Sequence, residues 1–222
     1  MRPLIIVLAS ILALAGCATK ESSIQTGPNA EVTFDGLHKV DNSAFKNAWA
    51  DPDIDFSRYS KFIAGGAVFE FRAVKKKGTQ RASSETEFWI DDKAKEKLKE
   101  EVSTVFQEEL AKSERFTETD TPGPDTIIIR GALHDIVSRV PPEHIGRSDI
   151  YLSSVGEATL ILEVIDSMSG EVIARAVERR SAERPGGSAV RSSSVTTWSE
   201  VRRLARKWAT RLRDGMDSIP TE

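Results

Sequence analysis

Three aspartates near residue 50 have the spacing of a calcium-binding segment. Asp51, Asp53 and Asp55 alternate along the chain, as the first oxygen ligands of an EF-hand loop do. That loop also requires glycine at its sixth position and glutamate at its twelfth, where this chain has Phe56 and Phe62. We therefore interpret the segment as a turn capped by aspartate side chains, and no metal site is predicted.

The histidines offer one pair of the types that act as a general base. His134 is followed by Asp135, whereas His38 and His144 stand at unrelated spacings that suit no metal. Such a pair is most often found at the end or edge of a strand. Acid–base catalysis by His134 and Asp135 is the alternative.

Two further patterns point towards hydrolases. Ser43 and Lys46 form a bare S-x-x-K, but the sequence lacks the S-D-N and K-T-G elements of penicillin-binding enzymes. Glu157 and Glu163 could be a glycosidase pair, although carboxylates on strands are common and their spacing alone proves nothing. The sequence therefore assigns no catalytic residue.

The last predicted helix has a basic face that could bind anions. Its cations lie away from an apolar stripe that includes Trp198 and Trp208, which indicates that the tryptophans pack in the core. A solvated face is the simplest interpretation, and the functional alternative is a docking surface for anionic lipid head groups or an acidic partner. The candidate docking residues are Arg202, Arg203, Arg206, Lys207 and Arg213, with Arg211 beside them.

The chain begins with a segment of the type that directs export. A positive start at Arg2 precedes an apolar run over residues 4–13, which is too short to span a membrane and is followed by small residues. Cys17, the one cysteine of the sequence, comes directly after them. We predict that residues 1–16 are a signal peptide that is removed.

The tetrapeptide Leu-Ala-Gly-Cys that ends at Cys17 resembles the lipobox of bacterial lipoproteins. The resemblance implies that Cys17 carries a diacylglycerol and an N-acyl chain, which would hold the protein in membrane lipid almost irreversibly. Ala18 after the cysteine implies the outer membrane, with the folded part on the periplasmic face. An ordinary secreted protein is the alternative. No other cofactor is expected.

The charge composition narrows the classes of partner that the protein could bind. The formal net charge is −3, and removal of the signal peptide lowers it by the one charge of Arg2. This balance argues against a nucleic-acid partner. Residues 17–44 are polar and lack any period, so we expect them to form the lipidated cysteine and a flexible tether.

Residues 45–219 are predicted to form one periplasmic domain. Strands are expected over residues 61–72, 126–140, 155–166 and 171–181, with a short strand from Phe116. The first is expected to be central because both its faces are apolar. One helix follows a cap at Asp91 or Asp92, and another begins at Thr197, where residues 197–200 fit a capping box. The expected fold is a two-layer α+β domain, a largely antiparallel sheet of about five strands with two amphipathic helices on one face.

Three turn-rich segments, residues 49–59, 122–125 and 165–171, resemble motifs of a bacterial lipoprotein family known as domain of unknown function 3313. The likeness covers roughly residues 45–217. Met168 and Ser169 depart from the Val-Thr of the family pattern. Because the motifs are turns, the resemblance implies a shared shape and brings no catalytic residues to this chain.

Our favoured hypothesis is a membrane-anchored, non-catalytic envelope lipoprotein with a binding, accessory or scaffold role and an envelope protein as its partner. One rival is a cell-envelope hydrolase that acts on peptidoglycan or lipid. Another is an auxiliary lipoprotein of a lipid transporter. An apolar cavity between sheet and helices, large enough for an acyl chain, would be the mark of that third possibility.

Overall fold

The computed structural model describes residues 22–74, 86–141, 151–183, 186 and 188–220. Cys17, the predicted signal peptide and His144 lie outside these ranges. Two helices are described, α1 (Asp92–Leu110) and α2 (Ser194–Asp217). The described strands are β1 (Ser23–Ile24), β2 (His38–Asp41), β3 (Asn47–Ala50), β4 (Lys61–Phe71), β5 (Thr117–Glu118), β6 (Thr126–Ser138), β7 (Tyr151–Leu152), β8 (Ser154–Asp166), β9 (Val172–Glu183) and β10 (Val190–Arg191).

The described strands build a mixed α+β fold around one large sheet. Its eight strands have the order β1-β2-β3-β9-β8-β6-β4-β5, and β7 and β10 form a separate two-stranded ladder. The expectation of about five strands is therefore wrong. The strands that it missed are β1, β2 and β3, whose two to four residues are too few to leave a period-2 pattern. β1 and β2 belong to the sheet, so the folded part begins inside the segment expected to be a tether.

β4 has a neighbour along its whole length on one side only. It pairs in parallel with β6, and α1 provides the crossover between them. On the other side, β5 covers only Lys61 and Phe62. The expected central position of this strand is therefore wrong. Gly65 allows the close approach to β6, because a Cβ there would lie 2.6 Å from the side chain of Ile128.

Both helices pack on one face of the sheet, as predicted. Asp91 caps α1 by accepting a hydrogen bond from the backbone N–H of Ala94 at 2.7 Å. α2 begins at Ser194 rather than Thr197, because Ser193 and Thr196 form the capping box. Among the described helices, neither is both long and apolar enough to cross a membrane.

The two helices run in parallel. Arg202 on α2 meets Glu101 on α1, Arg213 meets Glu109, and Asp217 at the end of α2 accepts a hydrogen bond from the hydroxyl of Ser113, just after α1. Because these contacts advance together along both helices, the two N-termini lie at the same end of the domain.

Candidate functional site

A groove of about 920 Å³ lies between the N-terminal halves of the two helices and the sheet. The sheet contributes the end of β6, the start of β8 and Ala182 near the end of β9. Most of the side chains that form its walls are apolar. They include Leu98, Val102, Leu133, Ile136, Val201 and Leu204.

The groove exists because the apolar stripes of both helices extend beyond the packed core. On α1, Val102 and Val105 are buried, whereas Leu98, one turn nearer the N-terminus, is only half-buried. On α2, Trp208 is buried and Trp198 is half-buried. The stripes therefore present apolar surface to the groove that a closed core would cover.

The end of the groove at the helix N-termini, which we call its mouth, has an aromatic and basic rim. Trp89 is 37% exposed, and the Lys97 amine lies 4.9 Å from the ring centre of Trp198. Within the described ranges, neither Lys93 nor Lys97 has a carboxylate partner. These two amines therefore place positive charge at the mouth that makes no ion pair with a described side chain.

The carboxylates of the described residues that line the groove, Asp91 and Glu157, already have partners. Asp91 is the cap of α1. Glu157 accepts a hydrogen bond from Arg179 at 2.8 Å and lies 3.3 Å from the guanidinium of Arg139.

Most of the predicted docking face on α2 makes contacts inside the domain. Arg202, Arg206 and Arg213 meet carboxylates of α1, and Arg203 pairs with Glu200 on its own helix. The three pairs with α1 carboxylates tie the two helices together. Lys207 is exposed and has no such partner among the described residues. A docking role for this face stays a prediction.

Two buried carboxylates behind that face escaped the sequence analysis. Glu178 on β9 is 2% exposed and accepts hydrogen bonds from the Trp208 indole at 3.0 Å and from Arg211 at 2.9 Å. Burial alone would raise the pKa of Glu178, but Arg180, Arg211 and Trp208 outweigh burial and lower it. Glu109 on α1 is 3% exposed and is held by Lys112, Thr210 and Arg213. One signal was available, since alternation along β9 places Glu178 on the helix-covered face.

The candidate acid–base pair does not form. His134 pairs through Nδ1 with Glu70 on β4, whereas Asp135 pairs with Arg72 and, at 2.8 Å, with Arg179. The hydrogen bond from Arg72, with help from Arg179, lowers the pKa of Asp135 to about 2. A carboxylate held so firmly in its charged form is a weak base at neutral pH.

The candidate glycosidase pair is also bound by arginines. Glu163 accepts hydrogen bonds from Arg130 at 2.6 Å and from Arg175 at 3.1 Å. Burial raises the pKa of Glu163, but the two arginines outweigh it and the pKa is lowered. A glycosidase acid needs a raised pKa, so the geometry gives this role no support.

The aspartates near residue 50 cap turns, as predicted. Asp51 accepts a hydrogen bond from the backbone N–H of Asp53 at 2.9 Å, and Asp55 accepts one from the backbone N–H of Ser57 at 2.9 Å. In the part of the chain that the structure describes, no cluster of three or more His, Cys, Asp or Glu side chains could hold a metal ion.

The three motif segments meet at the end of the sheet opposite the groove. The Tyr59 hydroxyl and Arg58 donate hydrogen bonds to Asp166 at 2.6 and 2.8 Å. The Ser167 hydroxyl donates to the carbonyl of Gly123 at 2.9 Å. We call this cluster the motif corner. It connects the start of β4, the start of β6 and the β8–β9 hairpin.

Fold and site together define an α+β domain whose two-helix layer opens into an apolar groove. The chain belongs to the family described as protein of unknown function (DUF3313), whose model matches residues 30–212. No curated protein matches the chain.

Several solved structures resemble the chain weakly. A dodecamer of a PelC variant from Paraburkholderia phytofirmans is 12% identical, with a TM-score of 0.30 over 72% of this chain and 92% of that one. A DUF330 protein from Xanthomonas campestris is 12% identical, with a TM-score of 0.37 over 74% and 86%. A neuraminyllactose-binding hemagglutinin homologue from Helicobacter pylori is 7% identical, with a TM-score of 0.35 over 71% and 84%. Likenesses this weak carry no inference about function.

Proposed function

We propose that the protein is a non-catalytic envelope lipoprotein that binds the acyl chain of an amphiphilic molecule in its groove. Acyl groups on Cys17 would hold it at the periplasmic face of the outer membrane. The observation that carries the binding role is the open, apolar groove between helices and sheet. It is the feature expected of an auxiliary lipoprotein in lipid transport, so an accessory role and lipid binding become one hypothesis.

Size and wall chemistry both suit an acyl chain. Pockets for small ligands span about 300–1,000 Å³ and are mostly apolar, and the groove lies at the upper end of that range. Each methylene that leaves water contributes about 0.8 kcal/mol. Covering the half-buried Leu98, Val201 and Leu204 would add to this gain, because part of their apolar surface is exposed in the groove.

The hydrolase hypothesis lacks a comparable observation. Its candidate carboxylates, Asp135, Glu157 and Glu163, each meet two arginines. None of them is paired with His134. We therefore do not propose a catalytic function.

The groove can be tested with the full chain in the cell that makes it. A photoreactive p-benzoylphenylalanine in place of Trp198 should crosslink to lipid, and mass spectrometry of the purified protein should show the lipid adduct. The matched control carries the same group in place of Thr104, which is exposed on α1 outside the groove. Equal adducts at both positions, or none at either, would contradict the proposal.

A variant that fills the groove checks the same proposal independently. Ala94 is half-buried in the groove wall, so Ala94→Trp should reduce the lipid adduct at position 198 at least tenfold. Thr104→Trp adds the same side chain outside the groove and should leave the adduct unchanged. An undiminished adduct in Ala94→Trp would place the bound lipid elsewhere.

The anchor and the partner need separate tests. Mass spectrometry of the native protein should show added acyl mass at Cys17, and Cys17→Ser should release the protein from membranes. Retention of that variant, together with no acyl mass on the native form, would refute the anchor. Crosslinking of the anchored chain should also recover a specific envelope protein, and failure to recover one would count against the accessory role.

A further inference from the structure

We infer that the mouth of the groove faces the leaflet that holds Cys17 and takes the acyl chain of an anionic lipid from it. This inference rests on the proposed function, because it needs both the anchor and the lipid-binding groove. It adds an orientation on the membrane and a chemical class of ligand.

The length of chain before the sheet limits where the anchor can be. Ser23 on β1 lies level with Val177 on β9 when the strand register is traced across β2 and β3. Because β1 is antiparallel to β2, β2 to β3 and β3 to β9, the chain that precedes Ser23 points along β9 towards Ala182. Ala182 lines the groove near its mouth. From Val177 to Ala182 is about 17 Å along the strand.

The five residue-to-residue steps from Cys17 to Ser22 can span about 17 Å at most. That reach equals the distance that separates Val177 from Ala182 along β9. β1 stands three strands from β9, about 14 Å across the sheet. An anchor this short holds the domain against the bilayer, and the direction of β1 turns the groove mouth rather than the β8–β9 hairpin towards it.

The charge of the mouth selects the head group. Lys93 and Lys97 lie on the groove wall without a carboxylate partner among the described residues. With the acyl chain among the apolar side chains, an anionic head group at the mouth would meet these two amines. Trp89 and Trp198 on the rim suit the interface between head groups and acyl chains, where tryptophan is enriched.

The orientation can be measured on the full acylated chain in vesicles of phosphatidylethanolamine and phosphatidylglycerol that contain a doxyl-lipid quencher. Acylation occupies the thiol of Cys17, so an introduced cysteine is the one site for a bimane label. Ser192→Cys places the label at the mouth, and Met168→Cys places it on the β8–β9 hairpin, where Met168 is 65% exposed. The two positions lie about 40 Å apart along β8.

The mouth label should be quenched strongly and the hairpin label hardly at all. Equal quenching, or stronger quenching of the hairpin label, would overturn the orientation. Either result would leave lipid adducts at position 198 intact, so failure of the orientation differs from failure of the proposed function.

The head-group preference has its own measurement. In vesicles that hold phosphatidylglycerol and phosphatidylcholine in equal amounts, the photoreactive chain should give about threefold to tenfold more adduct with the anionic lipid, as expected for two exposed ion pairs. Lys93→Gln with Lys97→Gln should remove this preference but keep the adduct. Lys95→Gln with Lys99→Gln is the matched control, because Asp92 and Glu96 already pair with those lysines.

Equal yields of the two lipid adducts in the native chain would overturn the preference for an anionic lipid, but they would leave the proposal of lipid binding intact. A preference that survives loss of Lys93 and Lys97 would overturn their role. No adduct with either lipid would refute the proposed function itself.

Discussion

Removing the charge of Asp166 tests the motif corner most directly. Asp166 is 4% exposed, and its two oxygens accept four hydrogen bonds. One oxygen accepts from the backbone N–H groups of Met168 and Ser169, and the other from Tyr59 and Arg58. Asn in this position offers only one acceptor oxygen, so two donors lose their acceptor whichever way the amide turns.

The pKa of Asp166 sets the size of the effect. Burial raises that pKa, but the Tyr59 hydroxyl and the two backbone N–H groups outweigh burial and lower it to about 2. In the unfolded chain the pKa of an aspartate is about 3.9, and a difference of about two units corresponds to about 2–3 kcal/mol of folding stability. Asp166→Asn should therefore lower the free energy of unfolding by about 2–4 kcal/mol at pH 7, once the unpaired donors are included.

The direction of the pH dependence follows from the lowered pKa. Stability that comes from a carboxylate with a depressed folded pKa is present above the unfolded pKa, near 3.9, and is lost as the pH falls through about 2. The difference in unfolding free energy between the native chain and Asp166→Asn should therefore be largest at pH 5–7. It should shrink steadily as the pH falls below about 4.

Urea unfolding of the full chain, followed by tryptophan fluorescence, measures this difference. Asp53→Asn is the matched control, because Asp53 is exposed and should cost less than about 0.5 kcal/mol. A cost below about 1 kcal/mol for Asp166→Asn at pH 7, or a difference that does not change with pH, would refute the reasoning.

Three further changes test other parts of the structure. Glu109→Ala should lower the free energy of unfolding in urea by about 2–4 kcal/mol, because it leaves Arg213 without its buried partner. The control Glu108→Ala, on the exposed face of α1, should lower it by less than about 0.5 kcal/mol. Equal losses for the two variants would contradict a buried network. Gly156→Ala should destabilise by about 1–3 kcal/mol or more because its Cβ would lie 2.3 Å from the carbonyl of Val137, while Gly131→Ala, with nearest contacts of 3.8 Å, should be tolerated. Ala94→Trp should leave the unfolding free energy within about 1 kcal/mol of the native value because the added ring enters the open groove, and a larger loss would mean that this space is already filled.

Long periodic segments were the predictable part of the fold. β6, β8, β9 and α1 match their predicted ranges within a few residues, because each carries a repeated apolar pattern or a firm turn signal at its ends. The start of α2 was missed by one turn. Residues 197–200 also have the capping-box pattern, but Ser193 makes the actual cap and the exposed Val195 adds no signal to the apolar stripe.

The short strands and the paired charges could not be predicted from the sequence. β1 and β2 are held by backbone hydrogen bonds and carry no apolar alternation, so a polar segment was mistaken for a tether. Similarly, the basic face of α2 gives no sign in the sequence that Glu101, Glu109 and Glu178 will stand opposite it. Long-range partners of charged residues depend on the packing of distant elements, and periodicity reports only on one element at a time.

The groove at the candidate site could not be predicted either, because the sequence pattern of one helix does not report its distance from another. Helical spacing predicted that Trp198 and Trp208 pack in the core. Trp208 does so, but Trp198 is half-buried in the groove, because spacing cannot tell how far two helices separate. Their C-terminal halves pack around Trp208 and Leu212, both buried, and that packing holds the two helices together. The N-terminal halves are therefore not needed to close the core. The same apolar stripe that stabilises the fold at one end is left open at the other, where an acyl chain can complete it.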